Sequence, residues 1–238
     1  MNEDKILFSI VIPAYNEEKM LPACLSALKN QAGNFNYEII VVDNNSTDQT
    51  GEVAKSHGVR VINELQRGVG RARRSGTEAA QGEYVLHLDA DTRLLEDYLV
   101  NVLSRFENDP KLVCLGGQFC FYDAPWWKNF LRVFVLHSLR LFAVTIFRSK
   151  LGPMGNNMIF KKEAYDKTTG FDPELRFCED ADLVRKLSRF GQVKLDFGLK
   201  SQASARRYKL NFDFLFQLLN LTWFCFFGRP LKNELKKI

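Results

Sequence analysis

Paired cysteines are missing from this chain. Its five cysteines, Cys24, Cys114, Cys120, Cys178 and Cys225, are odd in number and form no Cys-x-x-Cys pair. That pattern implies neither a disulfide framework nor a thiolate metal site, and a reduced, cytoplasmic chain is expected. Histidine is scarce. His57, His87 and His137 share no metal-ligand spacing, so they read as structural. No stretch reaches the uninterrupted apolar run of about 18 residues that a spanning helix needs. The start of the chain lacks the basic, apolar and small-residue succession of a secretory signal. Gly68-Val69-Gly70-Arg71-Ala72-Arg73 falls short of a dinucleotide loop, because Arg73 stands where the third glycine belongs.

What is present fits one α/β domain. The chain has 238 residues, 46% hydrophobic and 26% charged, enough for one large core and short for two. A net charge of +5 suits phosphates or acidic membrane surfaces and equally suits ordinary solubility; no nucleic-acid partner is expected.

Strand and helix signals alternate through the first half. Apolar runs at 6–12, 37–42, 59–62 and 84–88 read as strands. Helical patterns lie between them, with Met20, Leu21, Cys24, Leu25 and Leu28 at spacings of three and four, and another helix is expected over about 96–107. Such βαβ units predict a mostly parallel sheet flanked by helices. The second half is less regular, with strands expected at 112–121, 157–160 and 193–197 and helices at 161–168 and 179–189. Residues 1–210 are expected to form one domain and 211–238 a helical, aromatic extension.

Ligands of open parallel sheets bind at the carboxyl ends of the strands. Those ends carry Pro13-Ala14-Tyr15-Asn16-Glu17, Asp43-Asn44-Asn45-Ser46 and Asp89-Ala90-Asp91. Two carboxylates one residue apart after a buried strand suit a hard cation, Mg²⁺ or Mn²⁺, whose shell a nucleotide diphosphate completes. An isolated Asp-x-Asp is more often a turn, but this one shares an edge with Asp43. Asp43 reads as a base or ribose acceptor and, at similar odds, as a turn former. Arg71 reads as a phosphate contact or as part of a solvated basic helix face. Glu179 and Asp180 open a helix, where the dipole alone favours acids, yet either could take a proton from an incoming hydroxyl. Arg206 and Arg207 could offset diphosphate charge or lie on the surface.

Taken in order, these motifs resemble the family-2 glycosyltransferases of GT-A fold. The pieces are the run from Ser9 to Glu18, that from Val42 to Asp48, that from Gly82 to Asp91, Gly155 to Phe160, Gly170 to Asp172, and Glu179-Asp180. The resemblance implies an inverting transfer from a nucleoside-diphosphate sugar. It implies that Pro13, Ala14, Tyr15, Glu17, Asp43 and Asp89 line the nucleotide pocket and that Asp91, with Asp89, holds the metal. It makes Asp180 the general base and points Gly155, Asn156 and Asn157 toward sugar or acceptor. The Gln-x-x-Arg-Trp motif of processive synthases is absent, with Ser204-Ala205-Arg206-Arg207-Tyr208 near its place, so transfer of a single sugar is expected.

Two aromatic segments remain. Residues 126–147 are interrupted by Lys128, Arg132, His137 and Arg140, and 212–227 end in a basic flank. They suit a helix lying in the membrane interface on the inner face, or packing on the domain or in a dimer. Two rivals stand beside the transferase reading. A pyrophosphorylase would need a basic, Gly-rich loop where the acidic 13–18 stretch stands. A non-catalytic sugar-nucleotide binder would not depend on Asp180.

Overall fold

The computed structural model describes residues 5–130, 153, 155–175, 177–207, 220, 223, 224, 227 and 230. The strands are β1 (Ile6–Ala14), β2 (Asn36–Asp43), β3 (Arg60–Asn63), β4 (Tyr84–Leu88), β5 (Thr92–Leu94), β6 (Leu112–Phe121), β7 (Asn157–Lys161) and β8 (Gln192–Ala203). The helices are α1 (Leu21–Lys29), α2 (Thr50–Ser56), α3 (Val69–Ala79), α4 (Tyr98–Asn108), α5 (Lys162–Asp166) and α6 (Glu179–Leu187). The strands form one sheet in the order β3-β2-β1-β4-β7-β6-β8-β5.

The first four strands are parallel, as their apolar runs predict, because helices cover both faces. On β1, Phe8, Ile10 and Ile12 point into one core with Leu21, Leu25 and Leu28 of α1 and with Tyr98, Leu99 and Val102 of α4. Val11 points into the other, beside Val42, Ala72, Phe160 and Leu183. Gly76 lets α3 approach the sheet, since a Cβ there would sit 2.3 Å from a Val11 methyl.

Beyond β4 the pattern changes. β7 runs antiparallel to both β4 and β6, and β5 antiparallel to β8, while β6 and β8 pair in parallel. β8 is far longer than the strand expected at 193–197, because its outer half finds partners in β6 and in β5, a strand too short to announce itself. The helix expected at 161–168 is the shorter α5, and that expected at 179–189 ends at Leu187.

The two aromatic segments lie mostly outside the described residues, as does the boundary expected at 210. Trp126 to Phe130 is helical, with Trp126 78% exposed. In the C-terminal segment Phe224 is buried, with the Arg185 guanidinium of α6 5.8 Å from its ring, while Trp223 and Phe227 are exposed. No described helix is long and apolar enough to cross a membrane.

Candidate active site

The site begins where β1 and β2 end. Asp43 is in register with Ala14, and the Asn44 amide donates to the Ala14 carbonyl at 2.8 Å. Both strands then turn sharply. Asn16 (φ 54°) and Asn45 (φ 60°) take the left-handed backbone that asparagine tolerates better than most residues. The two loops are laced together: Asn16 N–H donates to Ser46 Oγ at 3.1 Å, and Glu17 N–H to Thr50 Oγ1 at 2.8 Å. The Asp43 carboxylate accepts the Ser46 N–H at 3.0 Å, which is the turn-forming role open to it. Its other oxygen faces Gly51, where a Cβ would lie 2.9 Å away.

Asn44 latches a third segment. Its side chain donates to the Gln66 carbonyl and accepts the Gly68 N–H, each at 2.8 Å. The 64–68 loop thereby rests beside Tyr15, with the Arg67 guanidinium 4.4 Å from the Tyr15 ring.

The acids gather next to this wall. Asp89 and Asp91 occupy the turn from β4 to β5, closed by Thr92 N–H on the Asp89 carbonyl at 3.0 Å. β4 and β2 flank β1 on the same sheet, which sets Asp89 and Asp43 on one edge about two strand spacings, roughly 10 Å, apart. Burial, then the charge of Asp89, pushes the Asp91 carboxyl up to about 6, against the pull of Arg206. Glu17 is buried as well, and its charge adds to the same rise. The compensating cations come from just past β8. Arg206 and Arg207 both form ion pairs with Glu17, and Arg206 Nε reaches Asp91 at 3.3 Å.

A third cation, Arg73 of α3, serves the other flank. Its guanidinium donates to Glu179 at 2.7 Å and to Asp89 at 3.3 Å, and its side chain is 5% exposed. Burial and the neighbouring Asp180 raise the Glu179 carboxyl to about 7, with Arg73 opposing. Asp180 is less buried and accepts the Gly155 N–H at 2.9 Å. Just before this pair, Cys178 holds a left-handed backbone (φ 62°), which costs a non-glycine residue of order 1–3 kcal/mol and aims the start of α6.

The expected site residues do not all converge. Pro13, Ala14, Tyr15, Glu17, Asp43, Asp89, Asp91, Arg206 and Arg207 share the strand-end edge. Glu179, Asp180 and Gly155 lie against it through Arg73. Arg71 pairs with Glu174 on the surface side of α3. Asn156 is half-buried, and Asn157 is buried with its side chain committed to Tyr98 and to Ser201 at 3.2 Å. His87 is packed against Phe160 and Phe171 and bonded to Thr77 at 2.8 Å, a structural histidine, and His57 bonds the Val53 carbonyl at 2.8 Å. His137 lies outside the described residues. From the sequence, Asn44 and Arg67 had no assigned role, and Arg73, inside a failed glycine motif, read with Arg71 as a phosphate contact or part of a solvated basic helix face; its inward turn onto Glu179 and Asp89 had no local signal.

A divalent cation fits part of this site. Asp89 and Asp91 offer hard oxygen donors under mutual repulsion, which a cation would relieve. Among the described residues no group of three or more His, Cys, Asp or Glu side chains could hold a metal alone, so the remaining ligands would have to be substrate or water oxygens.

Comparison with known proteins assigns the family and the fold. The model of glycosyl transferase family 2 matches residues 9–169, well over half of the chain. This protein belongs to that family. An uncharacterized glycosyltransferase of Haemophilus influenzae is 30% identical over 188 residues, covering 76% of this chain and 62% of that one. Putative glycosyltransferase EpsH of Bacillus subtilis is 32% identical over 120 residues, 48% of this chain and 35% of EpsH. Such curated relatives are thus longer than the part this chain spans. Among solved structures, the Pyrobaculum calidifontis mannosyltransferase PcManGT, in complex with GDP-Man and Mn²⁺, aligns with a TM-score of 0.71 at 18% identity, over 94% of this chain and 64% of that one. Staphylococcus aureus TarS in complex with UDP-GlcNAc aligns at 0.68 and 18% identity, over 96% and 68%. At such identities the likeness is one of fold, and that fold is the GT-A α/β architecture.

Proposed function

We propose that this family-2 glycosyltransferase moves a single sugar, with inversion, from a nucleoside-diphosphate sugar to an acceptor hydroxyl. The observation that carries the reading is the strand-end edge, where Glu17, Asp89 and Asp91 meet Arg206 and Arg207. Tyr15 and Asp43 bind the nucleoside. Asp91 and Asp89 hold Mn²⁺ or Mg²⁺, which when bound offsets the charge of the leaving diphosphate. Arg206 and Arg207 move from the carboxylates to the diphosphate oxygens. Asp180 accepts the proton as the acceptor oxygen bonds to the anomeric carbon and the bond to the diphosphate breaks. Gly155 and Asn156 border the sugar, and Asn157 supports them from the core. PcManGT and TarS, which share the fold, were solved with GDP-Man and Mn²⁺ and with UDP-GlcNAc, which makes such a donor the natural choice.

The acceptor is membrane-associated or lipid-linked in this reading. Trp126 and Trp127 stand exposed beside Lys128, and Trp223 and Phe227 face outward from the 211–238 extension, which suits a cytoplasmic enzyme lying on the inner face. Flotation with anionic liposomes would carry the full chain upward; a chain that stays at the bottom of the gradient is not a peripheral membrane protein.

A thermal-shift screen of UDP-, GDP- and dTDP-sugars with Mn²⁺ tests the donor. A true donor at a hundredfold excess over its Kd stabilises the fold by about 2.7 kcal/mol. Asp180→Asn should keep that shift and lose transfer. Absence of any shift rejects the donor reading, and full turnover by the variant rejects the base and favours another carboxylate.

A further inference from the structure

The metal-holding turn of Asp89 and Asp91 and the proton acceptor Asp180 are joined by one residue, which bonds Asp89 directly and reaches Asp91 and Asp180 only through their neighbours. Arg73 Nη2 donates to Asp89, two positions from Asp91, and Nη1 donates to Glu179, the neighbour of Asp180. The same guanidinium lies against Gly155, where a Cβ would fall 1.7 Å from Nη1, and Gly155 in turn donates its N–H to Asp180. Three separate chain segments that flank the reacting groups therefore rest on one planar cation.

Packing alone does not call for an arginine there. Its side chain is 5% exposed on the inner face of α3, and its Nε is buried without a hydrogen-bond partner. Desolvating a guanidinium is costly, and a buried ion pair is frequently no more stable than apolar residues of similar volume. Below it His87 is held neutral by burial and by the Arg73 charge, so the cost is not shared with a second cation. What the arginine supplies is fixed geometry: its planar fork holds two carboxylates in set directions, whereas a lysine ammonium on its flexible stem would bond them without fixing their directions.

We infer that Arg73 is a positioning residue that couples the donor edge to the proton-accepting edge, holding Asp89 and Glu179 so that Asp91 and Asp180 face one substrate from opposite sides. This rests on the reading that the acidic edge binds a sugar nucleotide. It predicts that the fork, more than the charge, governs both metal-supported donor binding and turnover.

The test compares the full chain with Arg73→Lys and with the double variant Arg73→Met/Glu179→Gln, which removes both buried charges and so guards against simple misfolding. Thermal melting reads the fold. Calorimetry reads UDP and GDP binding as Mn²⁺ is varied, and hydrolysis of the sugar nucleotide that stabilises the wild type reads kcat and KM. Both variants should melt cooperatively, lose about 10- to 100-fold in kcat, the range for residues that orient metal ligands, and need more Mn²⁺ for half-maximal nucleotide binding. Either variant, folded and with wild-type kcat and Mn²⁺ dependence, overturns the inference while leaving the donor reading intact. A wild type whose melting no UDP-, GDP- or dTDP-sugar shifts with Mn²⁺ removes the donor reading, and the inference with it.

Discussion

Arg206 and Glu17 stand 189 positions apart in the chain, yet they form an ion pair at the rim of the sheet. Glu17 is 4% exposed by its side chain and holds Arg207 as well, while Arg206 also reaches Asp91. Without a donor, the basic pair neutralises the carboxylates. In the proposed reaction the same pair would turn to the diphosphate.

Removing both arginines leaves a buried glutamate uncompensated. Arg206→Ala/Arg207→Ala should lower the metal-free unfolding free energy by about 1–3 kcal/mol, the range for hydrogen bonds to charged groups, kept modest because both arginines are partly solvated. Adding Glu17→Gln should recover most of that loss in urea titrations. An unfolding midpoint indifferent to the arginines would show that they compensate nothing.

Asp91 should make metal binding depend on pH. Its folded pKa of about 6 lies above the ordinary value of 3.8. Between these values the folded state holds a proton that the unfolded chain releases, so metal-free stability is full below about 4 and declines as pH rises through about 6. The decline should approach 2–3 kcal/mol, roughly 1.4 kcal/mol for each unit of pKa, and Asp91→Asn should flatten it. Mn²⁺ competes with the same proton, so its affinity should climb over that window. Urea unfolding and Mn²⁺ titration at pH 4.5 and 7.5 would check both; identical slopes in wild type and variant would refute the assignment.

Gly155 has no room for a methyl group. Gly155→Ala should destabilise the fold by about 1–3 kcal/mol through overpacking against Arg73. Because the same residue donates to Asp180, turnover per folded molecule should fall further than stability does. Wild-type melting and turnover would mean that the guanidinium yields easily.

The fold was legible in its first half because β1, β2 and β4 are largely buried on both faces and read as near-continuous apolar runs, interrupted only by Ser9, Glu38 and His87. It was less legible beyond Leu112. β8 alternates exposed and buried positions and draws its length from partners distant in sequence, and β5 has only three residues. In the site, the acidic strand ends could be read directly, since Asp43, Asp89 and Asp91 follow their strands at once. The role of Glu17 could not. Its partners Arg206 and Arg207 arrive from the far end of the domain, and no local spacing announces a contact of that range. Arg73 was hidden for a similar reason: a basic residue on an amphipathic helix ordinarily faces water, and only tertiary packing turns this one inward. Asn157, expected toward the sugar, is drawn into the core by Tyr98 and Ser201, neither of which lies near it in sequence.

The placement of β8 bears on how the protein is made. Among the described strands it is the last in the chain, and it must insert between β6 and β5 before the arginines behind it can reach Glu17 and Asp91. A nascent chain that has completed β1 through β4 already owns the acidic edge and, in Arg73, the partner of Asp89, but not the two arginines that pair with Glu17 and Asp91. Protection of Glu17 and Asp91 by Arg206 and Arg207 therefore waits on β8, and a polypeptide stalled before Gln192 would show these carboxylates to the ribosome exit and to chaperones without that cover.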